Sequence, residues 1–200
     1  ARQIQLNLET AATIVTERLP SSELTWTEAD GIDHFRTFSM PRLFVNHSIV
    51  DDVHRVTDEP AAIFVRDEAT GVFTALTSTH VNAEGARILD RVLDPDEPAY
   101  AAIMRGEAYT GQYTLEGREF YGAYQPITDM EGNPIGVLHV AVDKARAEAA
   151  VIDTLLLLLT VGGITFAILG LIGLATARLL ARPIPRLATT MQKLADGDYQ

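Results

Sequence analysis

Residues 121–142 read YGAYQPITDMEGNPIGVLHVAV. Two apolar, β-rich runs, 119–128 and 135–142, flank the polar segment 130–134. Gly132 and Pro134 punctuate that segment, so the stretch predicts an antiparallel hairpin. A third run, 108–114, joins it through a turn at 115–117 that carries Gly117. Together they form a three-strand meander. Upstream, residues 99–105 predict a short helix stopped by Gly106, and 79–98 is a looser stretch. Before that, AAIFVRD (61–67) and VFTALTS (72–78) predict a second hairpin closed by 68–71. Two strands, a helical crossover and three more strands make an α+β domain with one antiparallel five-stranded sheet.

Residues 1–59 predict helix in the main. Ile4, Leu8, Ala11, Ala12 and Val15 mark one apolar face of a helix over 4–18, stopped near Pro20. A loop is expected over 21–30. Shorter helices are expected over 34–38 and over 42–56, with Pro41 at the start of the second. After residue 143 the period returns to helical. No charged residue occurs from Thr154 to Ala177. At about 1.5 Å per residue this run exceeds the roughly 30 Å hydrocarbon core of a bilayer, so it predicts a membrane span. Asp153 lies before it, and Arg178, Arg182 and Arg186 lie after it. The positive-inside rule places the C-terminal end in the cytoplasm and residues 1–150 outside it. Gly163 with Ala167, and Gly173 with Ala177, have the small-xxx-small spacing that lets two such helices approach. The first helix is expected to continue an upstream span, and the heptad after residue 182 to run beyond Gln200.

The 200 residues carry a net charge of −11 and no cysteine. Thiol chemistry, disulfides and cysteine-based zinc sites are thereby excluded. Residues 151–200 hold four basic and three acidic side chains, so residues 1–150 carry −12. Such a surface repels phosphate, and no nucleic-acid partner is expected. No nucleophile elbow, zinc-protease helix or Gly-rich phosphate loop is present. The five histidines, His34, His47, His54, His80 and His139, show no ligand spacing. An enzyme, a metal and a cofactor are not expected.

A binding role is. Tyr109 and Tyr113 share one face of their strand, and Tyr121 and Tyr124 point to opposite faces of the next. A phenol joins an apolar body to a polar tip, which suits a small polar ligand. His139 lies mid-strand on the face of Val137 and Ala141, and Arg66 on the face of Phe64 and Ala62. A cation there could pair a ligand carboxylate. Arg66, Tyr109, Tyr121, Tyr124 and His139 are therefore the candidate ligand-binding residues. Each also has a plain reading: tyrosines packed in the core, an interior histidine, a strand-end arginine. Arg87 and Arg105 could equally serve the fold by binding loop carbonyls.

The order of features over 60–142 resembles a single Cache domain, the PAS-like extracytoplasmic sensor of bacterial receptors. The resemblance rests on AIFVRD (62–67), THV (79–81), GAR (85–87), DPDEPAY (94–100), GEAYTG (106–111) and residues 121–142. The chain departs from that pattern at Leu76, where an arginine is frequent, and at Asp90-Arg91, where a Gly-Thr pair is. Past the span, Arg182-Pro183-Ile184, Leu187, Met191, Leu194-Ala195 and Gly197-Asp198 resemble the first helix of a HAMP domain. Ile184, Leu187, Met191 and Leu194 independently make an a/d heptad seam.

These resemblances imply four parts: an N-terminal helical segment (1–59), a Cache core (60–143), a membrane-proximal and transmembrane helix (144–181), and a first HAMP helix (182–200). They imply the sensory region of a methyl-accepting chemotaxis protein in an inner membrane. It would be a homodimer that binds a small molecule, often a small carboxylate, between the sheet and residues 79–106. It would signal through HAMP to a cytoplasmic domain. The alternatives are the sensory region of a histidine kinase or nucleotide cyclase, or a ligand-free dimerisation module.

Overall fold

A computed structural model describes residues 2–19, 21–27 and 31–181. Helix α1 (Arg2–Arg18) buries Ile4, Leu8, Ala11, Ala12 and Val15 along one stripe, as their spacing demands. That stripe packs on one face of a sheet, against Ala61, Ile63, Ala123, Ile127, Leu138 and Val140. The sheet has eight strands: β1 (Ser22–Thr27), β2 (Gly31–Thr37), β3 (Ala61–Arg66), β4 (Phe73–Ser78), β5 (Val92–Leu93), β6 (Tyr109–Leu115), β7 (Arg118–Thr128) and β8 (Pro134–Asp143). Their order is β1-β2-β7-β8-β3-β4-β5, with β6 paired to β7. Helices α2 (Ser48–Thr57) and α3 (Pro98–Met104) complete this unit.

The α+β class, the long first helix and the five strands β3, β4, β6, β7 and β8 follow the sequence reading. The β6–β7 turn needs two left-handed residues, supplied by Glu116 (φ 50) and Gly117 (φ 73). Asp129 builds the β7–β8 turn. Its Oδ1 accepts from the backbone N–H of Asn133 at 2.7 Å and of Glu131 at 3.0 Å.

Three expectations are corrected. Residues 34–38 are not helical: 34–37 belong to β2, which pairs antiparallel with β1 in the stretch expected as a loop. Phe35 and Thr37 are buried while His34 is exposed, so the period is two. The sheet has eight strands rather than five, because this hairpin and the short β5 extend it at both ends. The helix expected over 42–56 begins only at Ser48. The cap position is His47, and just before it Asn46 Oδ1 accepts from the N–H and the hydroxyl of Ser48, so Pro41 lies outside the helix.

Helix α4 (Lys144–Ala181) follows β8 directly. Asp143 begins it, with Oδ1 accepting from Ala145 N at 2.9 Å and Arg146 N at 3.3 Å. The chain divides into two compact units, 1–147 and 148–200. The described part of the second is helix. Within the segment Lys144–Arg178 the most apolar 18-residue window has a mean hydropathy of 2.6, none of it is buried, and the helix is long enough to cross a membrane. The expected HAMP helix lies outside the described residues.

Candidate functional site

The sheet face away from α1 carries a second core: Ala62, Phe64, Phe73, Ala75, Leu93, Ala99, Ile103, Tyr124 and Val137. Register places three rows of side chains across it. Tyr109, Tyr124 and His139 form one row on β6, β7 and β8. Gly111, Gly122 and Ala141 form the next, and Tyr113, Phe120 and Asp143 the third. The middle row is a floor that carries only the Ala141 methyl, and the rings on either side lean over it. A Cβ at Gly122 would lie 2.8 Å from the Tyr113 ring and 2.9 Å from His139 Nε2. At Gly111 it would lie 2.5 Å from the Tyr109 hydroxyl.

The rings pack closely. Tyr124 and His139 have centroids 4.4 Å apart, and Tyr113 and His139 5.2 Å. His80, just after β4, stands 5.7 Å from His139 and 5.3 Å from Phe120. Its Nε2 shares a 3.2 Å hydrogen bond with the Tyr113 hydroxyl.

Arg91 enters this cluster from the segment before β5. Asp90 adopts a left-handed conformation (φ 58), and the backbone of residues 90 and 91 bonds to Ala75. That turn carries the Arg91 guanidinium to 4.3 Å from the Tyr113 centroid and 5.7 Å from that of Phe64. Nη2 donates to the Tyr124 hydroxyl at 3.4 Å. Nη1 is buried without a hydrogen-bond partner. No described carboxylate pairs with Arg91. His139 is wholly buried, and neither of its ring nitrogens has a partner. A positive charge without a counter-ion among the described residues thus stands beside an unused imidazole, next to the row of Gly111, Gly122 and Ala141. Unsatisfied groups of this kind are costly, and their arrangement fits a small anion with a polar tail.

Electrostatics agree. Burial first, then the Arg91 charge, pushes His80 down to about 4. Burial, Arg91 and His80 together hold His139 well below the ordinary histidine range. Burial raises the Tyr113 and Tyr124 phenols, so both stay protonated donors.

Of the residues expected from sequence, Tyr109, Tyr124 and His139 are brought into one row. Tyr121 lies on the opposite face, packed against the α1 core. Arg66 pairs with Phe73 in the sheet, at the far end of β3 from Ala62, which pairs with His139. Its Nε donates to the Gly71 carbonyl at 3.4 Å, so it serves its own hairpin. Arg87 binds Asp51 at 2.7 Å and the Ser78 carbonyl at 2.9 Å, and Arg105 binds Glu107. Sequence reasoning left out Arg91 and His80 and did not carry Tyr113 forward. Tyr113 shares the strand parity of Tyr109, which was the available signal.

Beside this cluster is a cleft of about 540 Å³, lined by His80 and Phe120 together with Glu59, Arg87, Arg118 and Arg146 among others. His80 and Phe120 therefore belong to both the closed cluster and the wall of the open cleft.

The family model of the Cache 3/Cache 2 fusion domain matches residues 40–162, more than half of the chain. The chain belongs to this family. The match contains the whole stretch, 60–142, that carried the Cache resemblance, and the Gly-floored rows lie within it. This Cache domain is similar to the crystal structure of the periplasmic sensory domain of the Campylobacter jejuni chemoreceptor Tlp1. The identity is 13% and the TM-score 0.40, covering 76% of this chain and 56% of that one. No curated protein matches it. A Cache sensory domain followed by a helix fit to cross a membrane is the part of a membrane-anchored receptor that meets the outside.

Proposed function

We propose that this chain is the ligand-sensing and membrane-spanning region of a bacterial chemoreceptor. It binds a small carboxylate outside the cytoplasm and passes the signal through α4 to a HAMP domain and a cytoplasmic partner. The observation that carries the ligand class is the unpaired Arg91, held between the Tyr113 ring and the Tyr124 hydroxyl beside the partnerless His139. Tyr109, Tyr124 and His139 supply the walls, and Gly111 and Gly122 the space once the rings swing aside. Ligand binding favours the open arrangement of these rings and shifts the population of the domain toward it. Small-residue spacing on α4 supports a homodimer.

Thermal unfolding of the whole chain in lipid nanodiscs tests this reading, with carboxylates, amino acids, amines and sugars added in turn. A ligand at 100-fold its Kd adds about 2.7 kcal/mol and moves the midpoint by several degrees. Carboxylates are expected to do so and amines not. No shift with any compound would favour the ligand-free dimerisation module. Tyr124 is itself a buried core residue, so truncation to alanine would cost the fold as much as the site. Tyr124→Phe keeps the ring and removes only the acceptor of the Arg91 bond. It should weaken carboxylate binding about tenfold while leaving the midpoint of the free protein nearly unchanged.

Gly163 on α4 has open space where a Cβ would stand. Gly163→Leu should change signal output from the dimer without changing ligand affinity. An unchanged output would remove close helix approach from the mechanism.

A further inference from the structure

Three features of the described residues stand apart from the core packing. The exposed apolar segment around Phe38, Leu43 and Val45 has nothing seated on it that identifies an occupant. The cleft beside His80 has its arginines Arg87, Arg118 and Arg146 already paired to Asp51, Asp143 and Asp58. The third is the pair of imidazoles beside Arg91, and it carries further.

His139 is buried on every side and makes no hydrogen bond, yet it lies in the row that faces the floor. The groups around it come from every neighbouring element. They are the Tyr124 phenol on β7, the Tyr113 phenol on β6, His80 after β4, Arg91 before β5 and the Phe64 ring on β3. Glu97, before α3, is near enough to act on Tyr113 and Tyr124. Among the described residues no carboxylate pairs with Arg91 or His139. The site without ligand therefore holds one positive charge and two neutral imidazoles.

An entering carboxylate changes the sign of that environment. It offsets the Arg91 charge that opposes protonation of His139, and it supplies an acceptor to a ring that has none. A carboxylate has two oxygens, and the Arg91 fork together with one imidazolium N–H matches both. We propose that this site binds a monocarboxylate together with one proton, the anion bridging Arg91 and a His139 that becomes protonated on binding. The proton comes from solvent, either free or delivered as the neutral acid. The bound site then holds two cations and one anion, the same net charge as the empty one. The response would follow the product of carboxylate and proton concentrations, and His139 would be a specificity-determining residue. This inference rests on the carboxylate reading above.

Isothermal titration of the whole chain in nanodiscs tests it, using acetate, propionate, glycolate and pyruvate at pH 6.0 in two buffers of different ionisation enthalpy. The difference in measured heat counts protons. Uptake of about half to one proton per bound carboxylate is expected, with affinity rising up to about tenfold per unit fall in pH between 7.5 and 6. Binding with no proton uptake and no pH dependence overturns the proposal while leaving the carboxylate reading intact. Absence of binding by all four overturns both. In His139→Asn, weakened binding without proton uptake is the expected result. Undiminished uptake in that variant would move the proton to another group and overturn the role of His139. Should the variant not fold, the ¹⁵N shifts of the His139 ring in the unaltered protein decide the matter. Both nitrogens must become protonated when the carboxylate is added, and a ring that stays neutral overturns the assignment.

Discussion

Replacing Arg91 with methionine is expected to make the protein more stable and unable to bind a carboxylate. The two effects have one cause. Arg91 is partly buried, its Nη1 has no partner, and its side-chain hydrogen bond to Tyr124 is long at 3.4 Å. Removing a buried charge from water is costly when no counter-charge meets it, and an apolar side chain of similar length avoids that cost. The contacts with Tyr113 and Phe64 return part of it through the attraction of a cation to an aromatic face. The net gain for Arg91→Met should be about 1 kcal/mol, which is about 2–4 °C for a domain of this size. Binding moves the other way. Truncating one partner of a buried charge pair commonly costs 2–5 kcal/mol, so affinity should fall by about 30-fold or more. Differential scanning and titration on the same sample would show both. A variant clearly less stable than the parent, yet still binding carboxylate, would make Arg91 a structural residue.

Acid should loosen the ligand-free protein well before its carboxylates titrate. An imidazole in the unfolded chain takes a proton near pH 6.5. In the folded chain His80 does so only at about 4, and burial together with the Arg91 charge holds His139 well below the ordinary histidine range. Between these values the unfolded state holds more protons, so stability is full above about pH 6.5 and declines as the pH falls toward 4. The slope is at most about 1.4 kcal/mol per pH unit for each histidine, which for His80 gives roughly 2 kcal/mol by pH 5. Asp58, Asp67, Glu107, Asp129 and Asp143 have lowered pKa values, and their stabilisation is lost only further into acid. Glu59, raised by burial, works against the trend near its own pKa. The window from pH 7 to 5 therefore belongs mainly to the two histidines. Thermal midpoints at pH 7.5, 6.5, 5.5 and 5.0 should fall by several degrees, and His80→Gln should reduce the slope. Midpoints flat across that range would mean that one or both imidazoles reach solvent.

How much of this was legible in the sequence depended on how local the cause was. Strands β6, β7 and β8 declare themselves, because alternation and glycine-bearing turns act within ten residues. The placement of Tyr109, Tyr124 and His139 on one face follows from strand parity, and parity also sends Tyr121 to the other side. The β1–β2 hairpin was missed because GIDHFRT is too short and mixed to separate period two from period three and a half. It becomes a strand only because Phe35 finds the α1 core. Arg91 was illegible for a different reason. It lies in a stretch without periodicity, and its inward course depends on a left-handed Asp90 and on backbone bonds to Ala75, fifteen residues earlier. Arg66, by contrast, looked inward by parity and spends its guanidinium on its own turn.

The junction of β8 with α4 has no slack in it. Asp143 is both the last residue of the strand and the group that satisfies the first helical N–H donors. His139 lies four residues before it on the same strand, a distance of about 13 Å. No loop separates the strand that carries His139 from the start of α4. The same economy sets the phase at which the helix begins. One residue added at 143–144 would turn every later position of α4 by about 100° about its axis. The junction should thus tolerate substitution far better than insertion.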